Sequence, residues 1–334
     1  MSIREVAARA GVSPATVSRV FTQPDAVATD TRRRVLDAAG ELNYAPHPVA
    51  RSLARGRTGN LGIVVSDMAN AFSAVIAKAV QLEARSDGNA LFVAGSDEQP
   101  DDEERWARAL APQVDGLLLV SPLMPESALR QLATQVPLVL VNREIDGIPA
   151  VLTDATDATG HAVEHLHALG HRAITYLAGP DGYSNSMRLR GYRAACERLG
   201  VEPVELGPFQ ARFSAGVRAA DLVLASAATA VVAYNDEVAV GVINRLADRG
   251  VRVPDELSIV GFDDTSLAEM VTPRLTTVRL PAAMAGRAAA RRLLDALRAT
   301  PDPAPTPGPL ALPGELIVRS STGPHRSAAR GAAP

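Results

Sequence analysis

Apolar residues near the N-terminus recur at helical spacing. Ile3, Val6, Ala7 and Ala10 stand at i, i+3, i+4 and i+7, which predicts an amphipathic helix over 3–10. Gly11 stops that helix, as a glycine just past a last turn does. Val12 is placed to fill the turn. Ser13 followed by Pro14 reads as an N-cap and a first helical position. A second helix is expected over 15–21, with Val17, Val20 and Phe21 inward and Pro14, Ala15, Thr16, Ser18 and Arg19 on or near the other face. A third helix is expected to be capped by Thr29 or Asp30, with Val35, Leu36, Ala39 and Leu42 as its apolar stripe. Two short helices around a glycine-containing turn read as a helix-turn-helix.

From residue 61 the pattern changes. Short, nearly continuous Val/Ile/Leu runs predict strands over 61–65, 91–94, 116–120, 138–141, 151–153, 174–177, 231–233 and 259–261. Amphipathic stretches between them predict helices over 72–86, 103–110, 158–169, 188–199, 215–224 and 238–249. Such alternation argues for an α/β body with parallel sheets covered on both faces. Ligands on these sheets bind beyond the strand C-termini, so the loops there are the place to look for a site.

The chain has 334 residues, room for two or three domains. A 47% hydrophobic and 21% charged composition excludes wholesale disorder. One cysteine, Cys196, excludes an intrachain disulfide framework and a multi-cysteine zinc site. No apolar run reaches a membrane-spanning length, and the N-terminus lacks the layout of a signal peptide. A cytoplasmic protein is expected.

The net charge of −3 conceals an asymmetry. Residues 1–60 carry nine arginines against five acids, a net +4, and the remainder carries −7. A basic head on an acidic body implies that only the head meets a polyanion. Lys78 is the lone lysine. Arginine suits bidentate phosphate or guanine contacts, and a compositional bias of the genome would give the same count.

The head strings are specific. Ile3-Arg4-Glu5-Val6-Ala7, Ala10-Gly11-Val12-Ser13-Pro14-Ala15-Thr16-Val17-Ser18-Arg19-Val20, Thr31-Arg32-Arg33-Arg34-Val35-Leu36 and Leu42-Asn43-Tyr44-Ala45-Pro46 resemble the DNA-binding head of the lac-repressor (LacI/GalR) family. The resemblance implies that Pro14 and Ala15 occupy the main base-selecting positions of the recognition helix. Both lack side-chain hydrogen-bonding groups, so readout there must be apolar, for instance against thymine methyls. Arg19 is the candidate for a bidentate guanine contact, Thr16 and Ser18 for phosphate together with backbone amides at the helix N-termini, and Ser13 completes the DNA-binding set. The following Pro46-His47-Pro48-Val49-Ala50-Arg51-Ser52-Leu53-Ala54-Arg55-Gly56 resembles the family's hinge helix. There Arg51 and Leu53 would contact DNA, with Leu53 wedging into the minor groove beside its counterpart from a second subunit. A hinge of about eight residues is too short to be stable alone, so DNA and dimer contacts must hold it. Pro48 departs from the small residue expected there and shifts the helix start.

The resemblance continues over roughly residues 2–321. Its body is similar to periplasmic sugar-binding proteins, with two lobes and a ligand between them. Leu61-Gly62-Ile63-Val64-Val65-Ser66-Asp67 with Phe72 looks like the opening of the first lobe, and Val114-Asp115-Gly116 precedes its third strand. Gly179-Pro180, Ser184, Arg188-Leu189-Arg190-Gly191-Tyr192, Tyr234-Asn235-Asp236 and Gly261-Phe262-Asp263-Asp264 follow in the order of the second lobe. The implied effector set is Phe72, Asn142, Arg143, Ser184, Arg188, Asn235 and Asp263, with Arg188 and Asp263 as a clamp for vicinal hydroxyls or a purine edge. Asn142 stands where many relatives carry aspartate, and with Arg143 it points to a ligand that is less purely a neutral sugar. The expected organisation is a head over 1–45, a hinge over 46–58, lobe 1 over 59–156 and 280–309, lobe 2 over 157–279 and 310–321, and a disordered tail over 322–334. A Pro-rich connector lies at 301–309.

Three other patterns carry less. His161-Ala162-Val163-Glu164-His165 spells an inverted zinc-protease string, yet Val163, Leu166 and Leu169 make the same helix a core helix and no third ligand follows. Asp101-Asp102-Glu103-Glu104, after Pro100, is expected to complement a helix dipole. Cys196 is expected to be a small core residue. No cofactor motif or nucleophile elbow is present. The resemblance implies a non-enzymatic transcriptional regulator, usually a repressor. It would act as a homodimer on near-palindromic operator DNA under allosteric control by a carbohydrate-like effector, away from any membrane. The other class is a ligand-binding module like a periplasmic receptor, without DNA function, which the basic head and missing signal peptide disfavour.

Overall fold

The computed structural model describes residues 2–22, 24–44, 57–299 and 308–325. These fall into two compact units, one N-terminal to Leu61 that also takes in Gln113–Asp115, and one built from the rest.

The first unit is a three-helix head: α1 (Ile3–Ala10), α2 (Pro14–Thr22) and α3 (Thr29–Glu41). A capping box starts α1, with the Ser2 amide donating to Glu5 Oε2 at 2.6 Å and the Glu5 amide donating to Ser2 Oγ. Gly11 ends it at φ +66°, a left-handed cap that a side chain would strain. Val6, Ala7, Ala10, Val17, Val20, Val35, Ala38 and Ala39 form the core. Phe21 meets Tyr44 edge-on at its border. Two expectations need correction here. Ala28 precedes α3 and offers no side-chain cap, in place of Thr29 or Asp30. Leu36 is 44% exposed and Ala38 takes its place in the stripe, because position 36 is turned about 100° from Val35.

The second unit holds two six-stranded sheets. The first lobe runs β1 (Asn60–Val65), α4 (Ala71–Ser86), β2 (Ala90–Gly95), α5 (Pro100–Leu110), β3 (Gly116–Val120), α6 (Glu126–Ala133), β4 (Leu138–Val141) and β5 (Ala150–Asp154). The second runs α7 (Thr156–Ala168), β6 (Ile174–Leu177), α8 (Tyr183–Leu199), β7 (Val204–Leu206), α9 (Phe213–Ala225), β8 (Ala230–Ala233), α10 (Asp236–Asp248), β9 (Ser258–Phe262), α11 (Ser266–Met270) and β10 (Thr276–Arg279). Then α12 (Ala282–Arg298) returns to the first sheet, followed by β11 (Leu310–Pro313) and β12 (Glu315–Ile317). The strand orders are β11-β5-β4-β3-β1-β2 and β12-β10-β9-β8-β6-β7. Central strands β3, β4, β6, β8 and β9 are buried at every position, as parallel strands covered by helices must be.

The chain crosses between lobes three times: after β5, after β10 and between β11 and β12. The last crossing corrects the expectation that 310–321 belongs wholly to lobe 2. Leu310–Pro313 pairs in parallel with β5 in the first sheet, and Glu315–Ile317 pairs antiparallel with β10 in the second. The expected disordered tail is also corrected over 322–325. Ser321 Oγ donates to Ile259 O at 2.6 Å and accepts from the Thr276 amide at 2.8 Å, and Thr322 Oγ1 lies 2.9 Å from His165 Nε2. The buried His171 ring contacts Thr229, Ser258 and the Gly323 carbonyl, and the His325 ring lies against it at 5.4 Å. Polar pairing fixes this segment without any hydrophobic period.

Candidate effector cleft and recognition helix

The loops that leave the strand C-termini build one cleft between the lobes. Seven non-glycine residues have positive φ among the described residues, and six follow strand ends there: Asp97 and Glu98 after β2, Ser121 after β3, Asn142 after β4, and Asp263 and Asp264 after β9. Residues held in sparsely populated backbone conformations cluster at ligand clamps, because only surrounding structure can hold them.

Arg188 lies on α8 and is buried. Its Nη2 donates to Asp263 Oδ1 at 3.1 Å, and its Nη1 donates to the Tyr234 carbonyl. The guanidinium carbon stands 4.3 Å from the Tyr234 ring centre and 4.6 Å from that of Phe262. A cation desolvated between two rings gains about 2 kcal/mol from their quadrupoles. Among the described residues the Arg188 Nε has no hydrogen-bond partner. Burial pushes the Asp263 carboxyl up, against the pull of Arg188. The loop that carries Asp263 is tied down by buried Asp236. Its Oδ2 accepts from the Thr265 amide at 2.7 Å and its Oδ1 from Thr277 Oγ1 at 2.6 Å. Burial and the nearby Asp263 charge push Asp236 up to about 7.

One cleft is lined by Asp67, Phe72, Glu98, Ser121, Asn142, Ser184, Arg188, Tyr234, Asn235 and Asp263, among others. It continues past Arg188 toward Thr153, Met187 and Leu280, and past Glu98 toward Leu123, Pro180 and Tyr183. Asn142 Oδ1 accepts from both the amide and hydroxyl of Thr153, at 2.8 and 2.9 Å. That fixes the amide so that its Nδ2 is the group left for a ligand. Asn185 on α8 accepts from Tyr176 Oη and the Gly179 amide, both at 3.0 Å, which sets the turn in front of Ser184. A Cβ at Gly179 would come within 2.3 Å of the Tyr234 ring, so the motif glycine is what lets that ring lie there.

Phe72, Asn142, Ser184, Arg188, Asn235 and Asp263 therefore line one cleft. One of the expected positions changes. Arg143 does not line the cavity; its Nη1 reaches the Pro122 carbonyl at 3.4 Å, because left-handed Asn142 turns the chain between them. Asn235 lines the cavity, but its Oδ1 caps α10 at the Val238 amide and its Nδ2 donates to Ala211 O. These bonds orient the amide at the cleft wall and use one of its two N–H groups. Asp67, Glu98, Ser121 and Tyr234, not among the expected residues, line the same cleft. Each stands within three residues of a strand end, at Val65, Gly95, Val120 and Ala233.

The acidic run of α5 splits in two. Asp102 and Glu104 pair with Arg105 and Arg108 at the surface, at 2.9 and 2.5 Å. Glu103 is buried and accepts from the Leu123 amide at 2.9 Å, holding the loop after β3. Burial pushes it up to about 7, against hydrogen bonds from the Leu123 and Met124 backbone and the charge of Arg143.

In the head, Ser13 Oγ accepts from the Thr16 amide at 3.1 Å and lies 2.9 Å from Thr16 Oγ1, so Ser13 caps α2. Pro14, Ala15 and Arg19 are exposed, and Thr16 and Ser18 are half-buried. This is the row a groove-reading helix needs. Arg51 and Leu53, with Pro48 and the rest of the expected hinge over 46–56, lie outside the described residues. Among the described residues, no helix is long and apolar enough to cross a membrane.

The comparisons agree with this geometry. Residues 2–47 match the model of bacterial regulatory proteins of the lacI family, and residues 163–322 match a periplasmic binding protein-like domain. The HTH-type transcriptional regulator DegA of Bacillus subtilis is 34% identical over 334 residues, covering 97% of this chain and 98% of its own. A lac repressor dimer bound to operator and the anti-inducer ONPF superposes with a TM-score of 0.85 at 28% identity, covering 97% of this chain and 99% of that one. The complex of the transcriptional regulator CelR with cellobiose has a TM-score of 0.70 at 32% identity, covering 96% and 99%. The chain belongs to the lacI family of bacterial regulatory proteins, DNA-binding transcriptional regulators whose helix-turn-helix head is followed by a periplasmic-binding-protein-like body.

Proposed function

We propose that this protein is a repressor, not an enzyme, that works in the cytoplasm as a homodimer on near-palindromic operator DNA. A small polyhydroxylated effector, a sugar or sugar derivative, sets its operator affinity. The observation that carries the effector reading is the buried Arg188–Asp263 pair, with its unpartnered Nε, in a cleft bordered by strained loops. The operator and anti-inducer held by the matched lac repressor, and the cellobiose held by CelR, support the two halves of the reading.

In this mechanism the α2 face of Pro14, Ala15 and Arg19 reads base edges, while Ser13, Thr16 and Ser18 position the helix on phosphate. A hinge over 46–58, with Arg51 and Leu53, enters the minor groove and links the head over 1–45 to the body. Ligand in the cleft changes the angle between lobes. Whether it releases or tightens operator depends on which state it prefers. The reading is tested by selecting operator from random duplexes with the full chain, then titrating candidate sugars against that complex. A sugar-dependent change in affinity is expected. Failure to select any sequence would overturn the DNA half, and a ligand that binds without altering operator affinity would overturn the control half.

A further inference from the structure

We propose that the effector carries a basic nitrogen alongside its hydrogen-bond acceptors, and that Asp67 and Glu98 hold that nitrogen. The proposal rests on the effector-cleft reading above and narrows its ligand class.

The charges along the cleft do not balance. At one end Arg188 is paired with Asp263, and the two cancel. The Arg188 Nε in that wall is buried without a partner, which calls for an acceptor oxygen from the ligand. Farther along, Asp67 and Glu98 line the same cavity. Among the described residues Asp67 Oδ1 accepts from the Ala69 amide at 2.7 Å, and Glu98 Oε2 from the Ala211 amide at 3.4 Å. Glu237 stands close by on the other lobe, with Oε1 3.4 Å from Asn70 Nδ2. None of these three carboxylates makes an ion pair among the described residues. Arg212 attracts Glu98 from farther off and offsets one charge.

The carboxylates also act on one another. Burial first, and then Asp67, pushes Glu98 up, against the Ala211 amide and Arg212. Burial pushes Glu237 up, with Asp67, Asp263 and Glu98 adding to it and the Phe213 amide opposing. The chain holds Glu98 there in spite of this, through left-handed backbone at both Asp97 and Glu98. A ligand hydroxyl can donate to such a carboxylate but leaves its charge unmatched. An ammonium group donates and neutralises at once, where partial burial makes that neutralisation count. A phosphate or carboxylate on the ligand would meet like charge. The class is therefore an amino sugar or amino polyol, protonated at neutral pH and not phosphorylated, with hydroxyl or ring oxygens toward Arg188.

The test is calorimetric titration of the full chain with matched triplets: glucose, galactose and mannose, their 2-amino-2-deoxy forms, and the 6-phosphates. Within a triplet that binds, the amino compound is expected to be at least about tenfold tighter than its parent, and the phosphate weakest. Glu98→Gln or Asp67→Asn, checked for fold by circular dichroism, is expected to cut that preference to below about threefold. A parent sugar or phosphate as tight as the amine, a preference unchanged in both variants, or no binding by any amine overturns the nitrogen assignment. If a neutral sugar binds and Arg188→Ala, shown to be folded by circular dichroism, abolishes it, the cleft reading stands and only this inference falls. If every bound probe survives Arg188→Ala, the cleft reading falls as well.

Discussion

Arg188 and Asp263 come from different elements, α8 and the loop after β9, and meet at 3.1 Å with side chains only 5% and 6% exposed. A pair this dry constrains both folding and binding, because each charge depends on the other for compensation.

Removing one partner should therefore cost stability as well as function. Arg188→Ala leaves Asp263 buried and unpaired and should destabilise the body by about 3–5 kcal/mol. The double variant Arg188→Met with Asp263→Leu should be less destabilised than the sum of the two singles. Urea denaturation of the wild type, Arg188→Ala, Arg188→Met, Asp263→Leu and the double variant reads this directly. A single variant with an unchanged midpoint would mean that the pair contributes nothing.

Asn142 tests the strained loops. Its left-handed backbone and two bonds from Thr153 suit asparagine or aspartate. Asn142→Asp should fold with nearly unchanged stability, since a carboxylate oxygen keeps both bonds. Asn142→Val should lose more than about 2 kcal/mol, from strain and two orphaned donors. Equal melting temperatures for the two variants would contradict this.

Glu103 makes stability depend on pH. Its folded value near 7 lies above the ordinary 4.5, so the native state holds a proton that the unfolded chain has released between those limits. Its contribution is then full below about pH 4.5 and declines as pH rises through about 7, by on the order of 3 kcal/mol. Glu103→Gln should remove that decline and gain on the wild type above pH 7. A wild-type profile that rises over this window, and that the variant leaves unchanged, would show Glu103 to be ionised in the fold.

Arg19→Ala should lower operator affinity and relax discrimination at one base pair by about 1–3 kcal/mol. Leu53→Ala should weaken operator binding while leaving effector affinity alone. Competition titrations against operators with single base-pair changes separate the two. Equal operator affinity for Leu53→Ala would sink the wedge assignment.

The sequence made most of the sheet legible because strands covered on both faces are written as continuous Val/Ile/Leu runs, as in Leu138–Val141 and Ile174–Leu177. Val204–Leu206 and Glu315–Ile317 were not legible, since three-residue edge strands that stay partly exposed carry no such run. Leu310–Pro313 was assigned to the wrong lobe because a strand's partner is not encoded in the strand. The segment after Ser320 looked featureless, yet hydroxyls and His171 hold it through long-range polar contacts. In the site, Arg188 and Asp263 were visible from their motifs. Glu103 and Arg143 were not, because burial of one acid in a charged run, and the turn at Asn142, appear only once β3 and β4 lie side by side.

The most direct test is operator affinity measured by fluorescence anisotropy, with and without saturating amounts of a ligand that stabilises the protein, for the wild type and for Asp263→Asn. The wild type should show a ligand-dependent change of about 5–150-fold and the variant a flat response. A ligand that binds the wild type tightly and leaves its operator affinity unchanged would contradict this.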